Sequence, residues 1–219
     1  MKREIDINEI SDGKLYTAND MVKVDCHDCV GCSSCCQGMG SSITLDPMDI
    51  WRLTSNLNTD FNSLLEKYVE LGMVDGLILP NLKLAGESEA CSFLNEMGRC
   101  SIHPFRPGIC RLFPLGRIYE KDNFRYFLQI YECPKSDKTK MKIKKWLGIS
   151  DIKIYEKYIL DWHNFIQQCE ESLEAIEQEQ RKILSLYLLK TFYQTKYPAE
   201  NFYEEFYIRL RTAEEMFGF

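Results

Sequence analysis

The stretch Cys26-His27-Asp28-Cys29-Val30-Gly31-Cys32-Ser33-Ser34-Cys35-Cys36 puts five cysteines into eleven residues. A gap of two residues lets two thiolates turn toward one metal ion, and the backbone N–H groups of the tight loop between them can point at the bound sulfurs. One such pair is weak evidence. Here the gaps 26/29, 29/32 and 32/35 overlap and end on the adjacent Cys36. Buried cysteines acting as small hydrophobes explain one cysteine, not five among Gly, Ser and Asp. The stretch therefore predicts a metal site, and the fold is read outward from it as a small core organised around metal-bound sulfur.

The chain has 219 residues and ten cysteines. Hydrophobic residues make up 45% and charged residues 27%, enough to bury a core. The opening MKREIDINEISDGK has no apolar core of a secretory signal, so a cytoplasmic location is expected. In a reducing compartment clustered thiols are metal ligands or redox groups rather than structural disulfides. No apolar run is long enough to span a membrane, so no membrane partner is expected. The net charge of −6 argues against a nucleic-acid binder. The expected partner is a protein or small molecule that the sequence does not name.

Cys91, Cys100, Cys110 and Cys133 follow the first cluster, and only Cys169 lies in the remainder. Residues 1–133 hold 13 Lys+Arg and 19 Asp+Glu, whereas 134–219 hold 14 of each. The expected fold class is α+β: a cysteine-rich metal-binding domain over 1–134 with short strands and a hairpin, then a helical C-terminal extension over 135–219. Asp46 as cap, Pro47 at the first helical position and Asp49 at N3 predict a helix start. Phe61, Leu64, Leu65, Tyr68 and Val69 recur at helical spacing, with Gly72 as the stop. Leu77–Leu84 contains Pro80 and predicts an edge strand. Gly116–Tyr131 predicts a hairpin turning at Lys121-Asp122-Asn123. Ser150–Tyr197 lacks Gly and Pro, and Ile152, Tyr155, Ile159, Trp162, Ile166, Cys169, Leu173, Ile176, Ile183 and Tyr187 mark one helical face with a break over 170–179. Phe202, Phe206 and Leu210 mark a last helix. The Lys-rich run Lys135–Lys145 is expected to be a solvated helix start.

Zinc wants four N/S ligands, commonly two paired hooks. The second cysteine group has gaps of 8, 9 and 22 residues and no paired hook. Iron–sulfur clusters collect cysteines from a Cys-rich loop and remote positions. Cys26, Cys29, Cys32 and Cys36 have bacterial ferredoxin spacing, but Gln37 replaces the expected Pro and no second run follows. The strings Cys29-x-x-Cys32-x-x-Cys35-Cys36, Cys91-Ser-Phe-Leu, Gly98-Arg-Cys100-Ser-Ile-His-Pro-Phe-Arg106-Pro107-x-x-Cys110-Arg111-x-Phe-Pro114 and Cys133-Pro134 resemble the CxxCxxCC (YkgJ-type) cysteine-cluster family. That family is described as zinc- or iron-chelating, and bacterial flagellin lysine N-methylases carry a similar cysteine region. The resemblance covers about 26–134. It implies that Cys29, Cys32, Cys35, Cys36, Cys91, Cys100, Cys110 and Cys133 build the site. Cys26 and Cys169 fall outside the shared set. Adjacent Cys35 and Cys36 are awkward ligands for one metal, since neighbouring side chains usually diverge. A single [4Fe–4S] iron–sulfur cluster with spare thiols is the first expectation. Two four-cysteine sites are the second, and zinc is the alternative metal.

Arg99, Arg106, Arg111 and Arg117 lie among these cysteines. A guanidinium beside metal-bound thiolates would offset their charge and tune a reduction potential, and Arg106 and Arg111 are the candidates for that role. His27 and His103 could ligate, but cysteines are in excess. Cys169 lies on the apolar face and is expected in the core. Three functions remain: a cluster-based redox or protein-modifying protein, a zinc-stapled interaction module without catalysis, and a lysine N-methylase-like enzyme. A rim of Gly38–Ser42 and Arg106–Arg111 would open the site to an anionic or carbonyl-bearing group.

Overall fold

The computed structural model describes residues 6–29 and 32–219; the dipeptide Val30-Gly31 inside the first hook lies outside them. In chain order the elements are α1 Ile7–Ile10, β1 Met21–Asp25, α2 Pro47–Leu57, α3 Phe61–Lys67, β2 Val69–Val74, β3 Leu77–Leu82, β4 Leu84–Ala85, β5 Ala90–Cys91, α4 Gly108–Leu112, β6 Leu115–Tyr119, β7 Phe124–Leu128, β8 Thr139–Lys142, α5 Ile143–Leu147, α6 Ile152–Ser172, α7 Gln178–Leu188 and α8 Phe202–Phe217. The fold is mixed α+β, with four two-stranded antiparallel ladders, β1–β8, β2–β3, β4–β5 and β6–β7, among the described residues. No helix among them is long and apolar enough to cross a membrane. The residues form two compact units that interleave along the chain: 2–40 with 84–160, and 41–83 with 161–219.

The unit of 2–40 and 84–160 carries nine of the ten cysteines. Its core gathers Val22 and Val24 of β1, Leu112 of α4, Leu115 and Tyr126 of the β6–β7 hairpin, and Ile143 and Leu147 of α5. The hairpin forms as its sequence predicts, with Leu115 opposite Leu128 and Tyr119 opposite Phe124. The Lys-rich run departs from expectation. Thr139–Lys142 is a strand on β1, and helix begins only at Ile143. Lysine side chains on a two-stranded edge stay in water while the backbone pairs, so charge there does not oppose strand formation.

In the unit of 41–83 and 161–219, α2 starts as predicted. Asp46 accepts from the Asp49 N–H and Asp49 accepts from the Asp46 N–H, a reciprocal capping box with Pro47 leading. The helical reading through Val69 to Gly72 is corrected: α3 ends at Lys67 and Val69–Val74 pairs with β3. Asp75 and Gly76 turn that hairpin with φ of 46° and 90°, the left-handed conformation a tight hairpin needs. Gly72 belongs inside β2 because a Cβ there would lie 2.9 Å from the Asn81 Nδ2. The helical break falls between Ser172 and Gln178. Beyond it the apolar face changes register: Leu184 and Leu188 are buried while Ile183 is exposed. The stripe is therefore not continuous through Ile183, since the non-helical link resets the phase. Trp162, Phe165, Phe192 and Phe206 pack ring against ring at 5.0–6.0 Å, the centroid range aromatic pairs prefer. Cys169 is fully buried, as its place on the stripe predicts.

Candidate metal centre

β1 delivers the first hook. Its last residue, Asp25, accepts from the Thr139 hydroxyl of β8 at 3.0 Å and from the His27 N–H at 3.1 Å. His27 and Cys29 take φ of 55° and 56°, so the chain doubles back within four residues. That turn brings the Cys26 and Cys29 sulfurs to 3.4 Å. Cys26 is buried, whereas Cys29 is half-buried. The hook continues through Cys32, whose N–H donates to the Cys29 carbonyl at 3.1 Å.

A cleft of about 350 Å³, counting its open mouth, is lined by Cys26, Cys29, Cys32, Cys35 and Cys133 together with Phe113, Pro114, Pro134, Lys135 and Trp146. The expected rim of Gly38–Ser42 and Arg106–Arg111 does not border this cleft. Trp146 does: its indole N–H donates to the Phe113 carbonyl at 3.2 Å, which fixes the ring against the loop after α4. The aromatic and proline lining is what sequence reasoning missed, because it comes from three separate segments.

The second half of the hook faces other cysteines. Gln37 bridges to Ala90, and the Gly38 N–H donates to the Glu89 carbonyl at 3.2 Å, which ties Cys35-Cys36 to the strand carrying Cys91. Leu94 bridges to Cys100 across the turn Asn95–Arg99. The thiols of Cys35 and Cys36 do not diverge. The Cys36 thiol donates to the Cys35 sulfur, which draws Cys35 down to about 7 and pushes Cys36 far up. Cys36 also feels the charges of Cys35, Cys100 and Cys91. Burial raises Cys91 and Cys100, and burial with the Cys26 contact pushes Cys29 up to about 12. Such thiols hold their protons until a cation replaces them; metal coordination deprotonates a thiol outright.

Arg106 is the cation common to this group, lowering Cys29, Cys35 and Cys100. It is held 2.9 Å from His103 Nδ1 and 3.2 Å from the His103 carbonyl. Arg111 works on the backbone. Its Nε donates to the Arg106 carbonyl at 3.0 Å, Nη1 to Leu147 at 3.3 Å and Nη2 to Pro104. It thereby ties α4, which carries Cys110, to the loop after Cys100. Arg117 lies away from the thiols, packed over the Phe124 and Tyr155 rings. The exposed imidazole of His27 lies 3.7 Å from Asp137 rather than facing a thiol.

No disulfide occurs among the described residues, so all ten cysteines keep their thiols. Among those residues no three His, Cys, Asp or Glu side chains are already gathered tightly enough for one ion. The donor chemistry nonetheless fits a thiophilic metal, since the side chains lining the cleft and surrounding Cys36 are sulfur before anything else.

A mixed α+β unit that carries nine of the ten cysteines is the frame of a cysteine-rich domain. Residues 28–144, more than half of the chain, match the CxxCxxCC family model, "Putative zinc- or iron-chelating domain", and the chain belongs to that family. No curated protein matches it. No solved structure matches it either.

Proposed function

We propose that the chain is an iron–sulfur protein of the reducing cytoplasm, with a [4Fe–4S] cluster drawn from Cys35 or Cys36, Cys91, Cys100 and Cys110. The observation that carries this reading is the backbone placement of the cysteines: the Gln37–Ala90 bridge and the Gly38–Glu89 bond set Cys35-Cys36 beside the strand carrying Cys91, and Leu94 bridges to Cys100. Thiols from a hook and from remote positions, met by one cation, are the arrangement a polynuclear cluster uses. When bound, such a cluster supplies one-electron chemistry. Arg106 would offset the added negative charge on reduction and so raise the potential. Arg111 would hold the two ligand-bearing segments together.

The test is optical. Anaerobically purified protein should be brown, contain iron and acid-labile sulfide, and bleach with dithionite. Arg106→Leu should keep the cluster and lower its potential. Colourless protein with stoichiometric zinc and no sulfide would replace this reading with the zinc-stapled module.

A further inference from the structure

We propose that Cys26 and Cys29 are a redox dithiol, a reversible disulfide site that exchanges with low-molecular-weight disulfides of the glutathione class. Neither thiol is among the cluster ligands proposed above, so the inference stands without that reading. Cys26 also lies ahead of the family match, which begins at residue 28. The two sulfurs stand 3.4 Å apart, and a disulfide bond measures about 2.05 Å. Small rotations about the two Cα–Cβ bonds span the remaining gap of about 1.4 Å.

The turn that sets this spacing is held at both ends. The Asp25 carboxylate accepts from the Thr139 hydroxyl and from the His27 N–H, and the Cys29 carbonyl accepts from the Cys32 N–H. His27 and Cys29 keep left-handed φ values, a conformation that costs a residue with a side chain and concentrates at functional sites. The closed loop would span four residues, so the crosslink takes little entropy from the unfolded chain and adds little stability. Such a bond at a cleft is of the labile, exchanging kind rather than a permanent staple.

The pair is asymmetric. Cys26 is 4% exposed, whereas Cys29 is half-buried, and both line the cleft. An incoming disulfide RS–SR therefore meets Cys29 first. A bond forms from the Cys29 sulfur to one sulfur of RS–SR, the RS–SR bond breaks, and the first RSH leaves with the Cys29 proton. The Cys26 sulfur then bonds to the Cys29 sulfur, the mixed disulfide breaks, and the second RSH leaves with the Cys26 proton. The two cysteines are oxidised by two electrons, and the external disulfide is reduced to two thiols. Cys169 is the internal contrast: it is fully buried and is the one cysteine of its unit.

The full chain, purified anaerobically with its metal content intact, is equilibrated with glutathione buffers of rising disulfide-to-thiol ratio, quenched in acid, alkylated and mapped by mass spectrometry. A Cys26–Cys29 crosslink, two hydrogens lighter than the dithiol, should form at a ratio that leaves Cys169 reduced. It should reverse with dithiothreitol and leave iron and sulfide content unchanged. Cys26→Ser should stop at the mixed disulfide and carry at least tenfold more glutathione on Cys29 than the parent. Cys29→Ser should leave Cys26 unmodified. Free Cys26 and Cys29 across the whole range, or a crosslink from either to another cysteine as the main product, overturns the inference. Iron lost in step with the crosslink makes the pair cluster ligands and overturns it too. A crosslink formed as expected in a chain without iron or sulfide supports the dithiol and sinks the cluster reading alone.

Discussion

Replacing Arg111 by Ala removes three donors from the carbonyls of Pro104, Arg106 and Leu147. Each such bond contributes roughly 0.5–1.5 kcal/mol net, more when the donor is charged and less when it is wet. Arg111 is half-buried, so a total of about 2 kcal/mol is expected, near the low end for three bonds. The loss falls on the segment joining Cys100 to Cys110 rather than on the whole chain. Hydrogen exchange reads it directly. The Phe105 N–H bonds to Ile102 at 2.9 Å and the Phe113 N–H to Ile109 at 3.1 Å. Their protection should fall about 30-fold, the factor that 2 kcal/mol represents. Amides of the β6–β7 hairpin should keep theirs. Arg111→Lys should repair little, because an ammonium cannot reach three carbonyls with one planar fork. Iron retention during anaerobic dialysis should drop in both variants. Protection changed by less than threefold in Arg111→Ala, or full recovery in Arg111→Lys, would refute the staple.

Arg209 is buried and bonds Glu205 at 2.8 Å and the carbonyls of Thr191, Thr195 and Lys196 at 2.7–2.8 Å. Arg209→Ala should cost about 3–5 kcal/mol, as for a broken buried pair, and lower Tm by roughly 6–20 °C; a melting shift under 2 °C would contradict this. Burial holds the Tyr126, Tyr193, Tyr197 and Tyr207 phenols well above 10, and burial with the Asp12 contact raises Tyr16 to about 12. Because these folded values are raised, the stability they contribute is full below pH 10 and is lost as pH climbs through 12. Phenolate absorbance at pH 11 should therefore lag that of the denatured chain, and equal absorbance with intact circular dichroism would disprove it. Cys169→Ser should cost about 1–3 kcal/mol by placing a hydroxyl in an apolar site while metal content stays whole; Cys100→Ser should lose iron. The opposite pattern in metal analysis would reverse the assignment.

Much of the fold was legible where one local rule acts alone. Asp46-Pro47 and Asp49 specify a helix start without tertiary help, and the β6–β7 hairpin follows from alternating apolar residues around a polar turn. β2 was not read because Val69 satisfies a helical period from Phe61 as well as a strand period toward Val74. Asp75-Gly76 between two apolar runs was the signal that could have broken the tie. β8 was hidden in a lysine run, and its partner β1 lies far off in sequence. At the candidate centre, the clustering of thiols was plain from spacing. Their distribution between the cleft and the Cys36 group was not, since it depends on where β5, the loop after α4 and the loop after β7 arrive in space. Trp146 and Phe113 carry no chemical signature in the sequence and reach the cleft only through packing.

The β1–β8 ladder has a consequence for the order of biosynthesis. The Asp25–Thr139 contact spans 114 residues. At synthesis rates of about 5–20 residues per second, the hook leaves the ribosome roughly 10 s before its clamp. During that interval five thiols are displayed on a nascent chain that cannot yet close around anything. Cys26 and Cys29 need only one tight turn to meet, whereas Cys91, Cys100, Cys110 and Cys133 are still being made.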